Sequence, residues 1–543
     1  MKLLDQPRRM VHRASAWLAE RTARPAPNVR STRAMGQTMS RRASASMPMG
    51  YDGARRDRLN WDWFTRHLSA DAAIQLGWDT LTARARDLVR NDSWAAKAVE
   101  RIVENVIGEN GIQTEAAILA GDELDETACR DVDAALERYF DKYCDAAGRL
   151  SFAEMQALAL SELPEVGEVF WVRVAKPVGR GREIPTAWQI IESEQLDNRF
   201  DRPAAPGQNK IVRGIETDGY GAPVAYHFFV EHPHDLTVTS GDSVRVPAER
   251  VIHYFVARRP SQTRGITWFA PTINVCRDLS QYVGSEISLA RIAQQFVVAI
   301  TREGSPEDVG LSGEDDDNTD NATGDPFTNI PEGIIAQLRP GEDVKSVQAN
   351  RPNTGAEPFI RLLLDTMANG IGMTYLGLTG DVRGANLSSA KFARNKDIAF
   401  WKRLQRMTTR RMILPIRDMA LGELAVYGRV PNLSPKVYAA NPWPWRACVA
   451  NYPGWEALDD QRETNGAIAR VQAGLSTLQR ECAELGLNWL RVMKQRAREQ
   501  RTARELDLVL SVDQPPAGSP MPFAPPTGGD DATTNHDANE ADE

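Results

Sequence analysis

The sequence predicts an α+β protein, and three observations carry that prediction. Apolar residues recur at steps of three and four over residues 78–107, 125–143 and 271–299, the spacing of one helix face. From Glu168 to about residue 256 the period drops to two, in short β-branched and aromatic runs bounded by Gly, Pro and Asp. From residue 356 onward the helical period returns and dominates the C-terminal third of the chain.

Taken in order, residues 1–50 are rich in Arg, Ser, Ala and Pro with little apolar periodicity, the composition of a disordered basic leader. Trp78 to Ile107 is expected as one helical run, with Leu81, Ala85, Leu88 and Val89 and then Val99, Ile102, Val103 and Val106 on its inner face. Asp125 to Tyr143 places Val132, Leu136 and Tyr139 together on a second helix. A third spans Ser151 to Leu160, where Ser151 and Glu154 have the spacing of a capping box. The runs VFWVRV, WQIIE, IVRGIE, VAYHFFV and VIHYFV then make residues 165–256 a mainly β subdomain, and Thr217-Asp218-Gly219 has the composition of a hairpin turn.

Pro271 suits a helix start, where a missing N–H costs nothing. Ile273, Cys276, Leu279, Val283, Ile287, Ala290, Ala293 and Val297 come after it at helical steps, a helix of about 43 Å. Its apolar stripe is narrow, and Ser288, Ala290 and Ala293 are small, which favours close packing against another long helix over burial in an ordinary core. Glu303 to Asp325 then holds nine acids and no base. Two strand-like runs, Gly333 to Leu338 and Val344 to Val347, precede a helix from Phe359 to Met373. The residues alone thus give a helix, an insertion and a helix.

Gly370 to Trp401, GIGMTYLGLTGDVRGANLSSAKFARNKDIAFW, joins a helix end to a glycine-punctuated loop and a long basic helix. Gly377, Gly380 and Gly384 suit a loop that needs unusual backbone angles or freedom to move. Helix is expected from Ser388 to Leu414, interrupted or kinked at Pro415. Between Lys391 and Arg417 stand nine Lys/Arg residues and a single acid, Asp397. Lys391, Arg394, Lys402 and Arg406 lie close to one face, so this helix is either an electrostatic surface for a polyanion or an ordinary solvated face. Val430 to Trp455, rich in Pro and Trp, predicts a non-helical connection. Gly474 ends one helix, and Ser476 with Gln479 opens another, whose apolar face runs through Leu478, Leu485, Trp489, Leu490 and Met493. After Val512 the chain is Pro-rich and then acidic, the composition of a disordered tail.

The 543 residues suffice for two to four domains, and 42% apolar with 25% charged content is ordinary for a soluble protein. No run of about 18 apolar residues exists, so no membrane-spanning helix is expected, and the first 20 residues lack the layout of a secretory signal. Cys129, Cys144, Cys276, Cys448 and Cys482 are scattered, without C-x-x-C spacing, as isolated reduced thiols would be. The net charge of −8 hides an asymmetry: residues 1–58 hold thirteen Lys/Arg against four acids, whereas Asp513 to Glu543 holds seven acids and no base.

No catalytic constellation stands out. GxxxxGK(S/T) is missing, Gly370 and Gly372 are followed by Tyr375 where a dinucleotide fingerprint needs Gly, and GxSxG does not occur. His232-Pro233-His234-Asp235 is the one cluster of metal-ligand types and suits a surface loop. Glu314, Asp315, Asp316 and Asp317 lack the Gly and final Glu of a calcium loop and suit a solvated acidic segment. Neither metal nor cofactor is expected.

The Gly370–Trp401 passage resembles the "LTGD…N-x-SSA" region of the lambda-type family of tailed-phage portal proteins. The series LTARARDLVRNDSWAAKAVERIVENVIGENG (81–111), SELPEVGEVFWV (161–172), IVRGIETDGYGAPVAYHFF (211–229), VPAERVIH (246–253) and RRPSQTRGITWF (258–269) is similar to that family in the same order, with Ser261 where its "RPGQ-RG" turn has Gly. The resemblance covers roughly residues 50–510 and implies a portal fold: long stem helices, a β-containing wing and clip, a helical crown, and a cyclic ring oligomer, about twelve chains in number. It divides the chain into a leader (1–50), wing (51–268), first stem helix (269–300), clip (301–355), second stem helix (356–376), tunnel loop (377–390), tunnel/wing helix (391–429), crown (430–512) and acidic tail (513–543). It implies Arg383 and Asn386 of the loop, with Lys391, Arg394, Lys402 and Arg406, beside double-stranded DNA in a channel, and Glu314 to Asp317 as a partner-docking clip loop. Further implied partners are the terminase large subunit, the major capsid or scaffold protein and the head-completion (neck) proteins, in a virion assembled in the host bacterial cytoplasm, with no enzymatic activity. Two other classes stay open: another virion structural protein, such as an adaptor, and a nucleic-acid-processing enzyme.

Overall fold

The computed structural model describes residue 62 and residues 65–236, 241–294, 298–302, 342–346, 355–384, 386–455, 460–487 and 489–508. Two units partition the chain, Met1–His67 and Leu68–Glu543, and every helix and strand named below belongs to the second. Leader residues 1–50, the Gly333–Leu338 run, Glu314 to Asp317 and the tail 513–543 lie outside the described residues.

Helix α1 (Ala70–Gln75) leads into α2 (Trp78–Asn91) and α3 (Ser93–Val106). The single run expected over 78–107 is therefore two helices, divided at Asp92. Its backbone is extended, and its carboxylate accepts from the N–H groups of Trp94 and Ala95 at 3.0 and 2.9 Å. A short polar side chain that competes for backbone donors ends one helix and caps the next without disturbing the apolar period. Strands β1 (Gln113–Ala116), β2 (Leu119–Ala120) and β3 (Glu123–Leu124) precede α4 (Glu126–Lys142) and α5 (Phe152–Glu165). The predicted capping box is present: Ser151 accepts from Glu154 N–H while Glu154 accepts from Ser151 N–H at 2.7 Å.

The β subdomain comes next, as expected. Strands β4 (Glu168–Ala175), β5 (Thr186–Ile191), β6 (Lys210–Val212), β7 (Ile215–Thr217), β8 (Pro223–Phe229), β9 (Ser243–Pro247) and β10 (Val251–Phe255) form two antiparallel sheets, β10-β4-β5 and β6-β7-β8-β9. IVRGIE is not one strand but a hairpin. Arg213 and Gly214 at its centre both have positive φ (49° and 80°), the backbone of a tight two-residue turn. The Thr217–Gly219 turn extends through Ala222, closed by Asp218 Oδ1, which accepts from Tyr220 and Ala222 N–H. Central strand β4 is buried on both sides. Val169 and Trp171 face the main helical core, while Phe170 and Val172 face a second core shared with Tyr226 and Phe228 of the other sheet. Alternation at period two lets one strand serve both.

At the first residue of β4 lies the node of the fold. Glu168 is fully buried and accepts from Arg264 Nε at 2.7 Å, Gly265 N–H at 2.6 Å and Ser193 Oγ, with His253 Nε2 at 2.9 Å. Burial alone would raise its pKa, but the Arg264 charge and the His253 hydrogen bond hold it well below the usual carboxylate range. Arg264 also bonds Asn198 and lies 4.8 Å over the ring of Trp78. Glycine is needed at Gly167 and Gly265, whose backbones touch so closely that a Cβ on either would overlap the other segment's main chain. Nearby, Arg86 of α2 forks onto Glu162 at 2.8 and 2.7 Å and also meets Glu165 and Glu194 at 3.1 and 3.0 Å. Burial and three crowded carboxylates on one guanidinium push Glu162 up to about 7.

Helix α6 (Ile273–Gln294) is shorter than the predicted 271–299. Strand β11 (Val298–Arg302) comes after it and pairs antiparallel with β12 (Glu342–Ser346). β-Branched Val298, Ile300 and Thr301 account for the change. Helix α7 (Ala356–Ile371) runs antiparallel to α6: Tyr282 meets Phe359 edge-on at 4.9 Å, and Thr272 packs where a Cβ on Gly370 would sit. After α8 (Tyr375–Thr379) comes α9 (Leu387–Thr408), which widens into a π turn (Thr409–Ile413) and continues as α10 (Leu414–Val426). The expected break at Pro415 is thus a widened turn with the helix running on. Pro415 thereby falls in the first turn of α10, where proline is tolerated.

The Pro/Trp stretch differs from prediction by holding α11 (Pro435–Ala440) and α12 (Trp443–Arg446), each with Pro in its first turn, where Pro is tolerated. Strand β13 (Cys448–Asn451) pairs with β1, so residues assigned to the crown complete the sheet of residues assigned to the wing. Helices α13 (Asp460–Gln472), α14 (Leu478–Glu484) and α15 (Trp489–Glu505) close the described chain. The cap of α14 is Thr477, which accepts from Arg480 N–H, and not Ser476.

Glu168→Gln leaves Arg264 buried opposite a neutral group, and we expect it to cost about 3 kcal/mol in denaturant unfolding; a change under about 1 kcal/mol would deny the node its role. Glu162 binds its proton more tightly folded (about 7) than at its usual 4.5, so this site favours folding below 4.5 and loses that contribution as pH rises through 7. Melting should therefore be higher at about pH 5.5 than at about pH 8, and Glu162→Gln should shrink the gap by on the order of 2 kcal/mol.

Candidate nucleic-acid interface

The loop expected at 377–390 is shorter and more tightly held than its composition suggests. Gly372 (φ 104°) ends α7, and the N–H groups of Gly372 and Met373 both return to Ala368 O. Thr374 then caps α8, accepting from Gly377 N–H at 3.1 Å, while its own N–H and hydroxyl donate to Asp397 at 2.8 and 2.6 Å. Asp397, the one acid of the basic run, is buried. Burial pushes its carboxyl up and the two Thr374 donors oppose that shift. Gly377 sits inside α8 against this carboxylate, where a Cβ would overlap Asp397 Oδ2, so close approach requires glycine there. Gly380 (φ 68°) and Gly384 (φ 74°) are the positions where the backbone turns left-handed.

Asp381 organises the exposed part of the loop. Its carboxylate accepts from Tyr375 Oη at 3.1 Å and from Arg383 N–H and Nε at 3.0 and 2.9 Å. The hydrogen bond from Arg383 holds it well below its usual range. Arg383 also reaches Glu357 of α7 at 3.3 Å and remains exposed, so these pairs are solvent-screened. Asn386 caps α9, its Oδ1 accepting from Ser389 N–H at 2.8 Å, which sets the helix start at Leu387, one residue before the expected Ser388.

The basic helix is partly spent on its own fold. Lys391 pairs with Glu463 of α13 at 3.1 Å, Lys402 lies 5.7 Å over the ring of Trp455, and Arg394 is half-buried. Arg406 is exposed. Arg411 donates to Phe255 O at 2.9 Å. Arg417, counted among the surface cations by sequence, is fully buried and donates to Arg446 O at 3.1 Å. The face shared by Lys391 and Lys402 is thus turned toward Glu463 and Trp455. What sequence reasoning missed is the Asp397–Thr374 clasp, signalled only by a lone acid amid nine bases. Among the described residues no three His, Cys, Asp or Glu side chains converge as metal ligands would, and no helix is long and apolar enough to cross a membrane.

A helix pair, a clasped loop and a capped basic helix thus succeed one another between Ile273 and Thr408. The family description "phage portal protein, lambda family" matches residues 56–405, and the chain belongs to that family. It is 28% identical over 439 residues to a probable portal protein of Halomonas phage phiHAP-1, covering 78% of this chain and 80% of that protein. With portal protein B of Escherichia phage lambda it shares 23% identity over 492 residues, 85% of this chain and 90% of that one. A chain from a solved virion of a native gene transfer agent particle is 13% identical, with a TM-score of 0.40 over 75% of this chain and 93% of that chain.

Thr374→Val removes the cap of α8 and the hydroxyl half of the clasp to Asp397, leaving the backbone N–H bond. Thermal unfolding should show a loss of roughly 1–3 kcal/mol, and limited proteolysis should cut residues 380–386 faster. Unchanged proteolysis would mean that the loop is held elsewhere.

Proposed function

We propose that the chain is a portal subunit: about twelve copies close into a ring at one capsid vertex, and duplex DNA passes through its channel during packaging and ejection. Membership of the lambda portal family supports this reading. The observation that carries it furthest is the α6–α7 pair. Among the described side chains of α6 those buried are in its first turns, at Ile273, Cys276 and Leu279, while farther along the pair Ile287, Leu289, Phe359 and Leu362 are 42–59% exposed. Apolar side chains grouped on a projecting hairpin need covering, and identical hairpins in a ring cover one another.

In this reading α6 and α7 are the stem, and Gly377 to Asn386 with Arg383, Lys391, Arg394, Lys402 and Arg406 belong to the channel. A ring turns each cation into a circle of charges facing one phosphate per ~1.7 Å of duplex. Arg383, held by Asp381 and Glu357, contacts phosphate by exchanging weak surface pairs. The terminase large subunit docks at the clip, whose acidic residues Glu314 to Asp317 contribute, and is succeeded there by neck proteins; the capsid or scaffold protein surrounds the wing. The chain acts as a conduit in the virion and catalyses no reaction.

Electron microscopy of the purified protein, with native mass, tests the reading. Closed rings of about twelve chains are expected, and Leu289→Arg with Leu362→Asp should shift the mass to monomer. Compact monomers of the unaltered protein under assembly conditions would sink it.

A further inference from the structure

Helix α15 carries a stripe of exposed cations of its own. At 100° per residue, Arg491, Lys494, Arg498, Arg501 and Arg504 fall within an arc of about 140° and extend about 20 Å along the helix. All are exposed, and the opposite side carries the buried Ala503. Arg491 lies 3.8 Å from Glu115 and Lys494 lies 3.3 Å from Glu126. Arg498, Arg501 and Arg504 have no hydrogen-bond, ion-pair or ring partner among the described residues. Glu505 is the one acid within the arc, at the C-terminal end of the stripe. Like charges at steps of three and four destabilise a helix unless something answers them.

We propose that this stripe is the docking surface for the acidic segment 513–543 of the same chain. That segment carries seven acids and no base, opposite in sign and comparable in number to the stripe. It begins five residues beyond Leu508. The densest acids, from Asp530 to Glu543, are joined to Leu508 by 21 residues, a tether able to span up to ~75 Å against a stripe of about 20 Å. A tether of this length gives an effective concentration near millimolar, ahead of any polyanion free in solution. Without its seven acids the rest of the chain has a net charge of about −1, so it adds little long-range attraction for a nucleic acid. Docking makes the segment a built-in shield that covers a cationic surface until a stronger anion displaces it.

The test uses the full chain and two probes: a labelled synthetic peptide of residues 513–543 and a short labelled DNA duplex. In a variant with all seven acids (Asp513, Asp530, Asp531, Asp537, Glu540, Asp542, Glu543) changed to Asn or Gln, the stripe is vacant. Fluorescence anisotropy should show the peptide binding this variant at least ~10-fold more tightly than the unaltered chain, which its own segment blocks. Adding Arg498→Gln, Arg501→Gln and Arg504→Gln should abolish that gain, as should raising salt from about 0.05 to about 0.5 M. Circular dichroism checks that the variants keep their helix content. Equal peptide binding by the unaltered and acid-neutralised chains overturns the proposal. So does a duplex that binds the unaltered chain through these arginines as tightly as it binds the neutralised one, which would give the stripe to nucleic acid.

Discussion

One buried carboxylate orders the N-terminal half of this protein. Taking Glu168 out of water costs several kcal/mol unless its charge is met, and here donors arrive from three separate segments: the 193 turn, β10 at His253, and the turn at Arg264 and Gly265, all closing on the start of β4. The same arginine rests on Trp78, so α2 joins the arrangement as well. Nothing short of the native arrangement satisfies that charge. The node therefore contributes uniqueness of fold more than net stability.

This explains why the ordered motif series was readable although no motif in it is chemically unique. Arg86 belongs to RARDLVRN, and Glu162, Glu165, Gly167 and Glu168 belong to SELPEVGEVFWV. His253 ends VPAERVIH, Arg264 and Gly265 lie in RRPSQTRGITWF, and all of these meet around the first residue of β4. Gln262 of the same turn accepts from Arg258 N–H and donates to Arg264 O, fixing the path by which the guanidinium enters the core. Motifs from four separate stretches of the sequence thus meet at one electrostatic knot.

Local rules carried much of the fold. The Ser151 capping box, the alternation along β4 and the helix–insertion–helix order all depend on neighbours a few residues apart, which a sequence displays directly. The failures lie where distant residues decide. Asp92 divides a helix whose apolar period never falters, and periodicity does not encode the π turn before Pro415. Charge was the least legible. Arg417 counts as +1 in any tally yet lies wholly inside, while Lys391 and Lys402 are engaged by Glu463 and Trp455 from far along the chain. Counting bases locates a basic segment, whereas tertiary contacts decide which of those bases remain on offer.

The pairing of β1 with β13 has a consequence in time. A ribosome that has just released Ala116 must add 332 further residues to reach Cys448, the residue paired with it. At about 5–20 residues per second that is an interval of roughly 17–66 s. Throughout it a four-residue strand edge and the apolar ground beneath Val430, Leu433 and Tyr438 stay uncovered. The nascent chain is thus most prone to misassociate late in its synthesis.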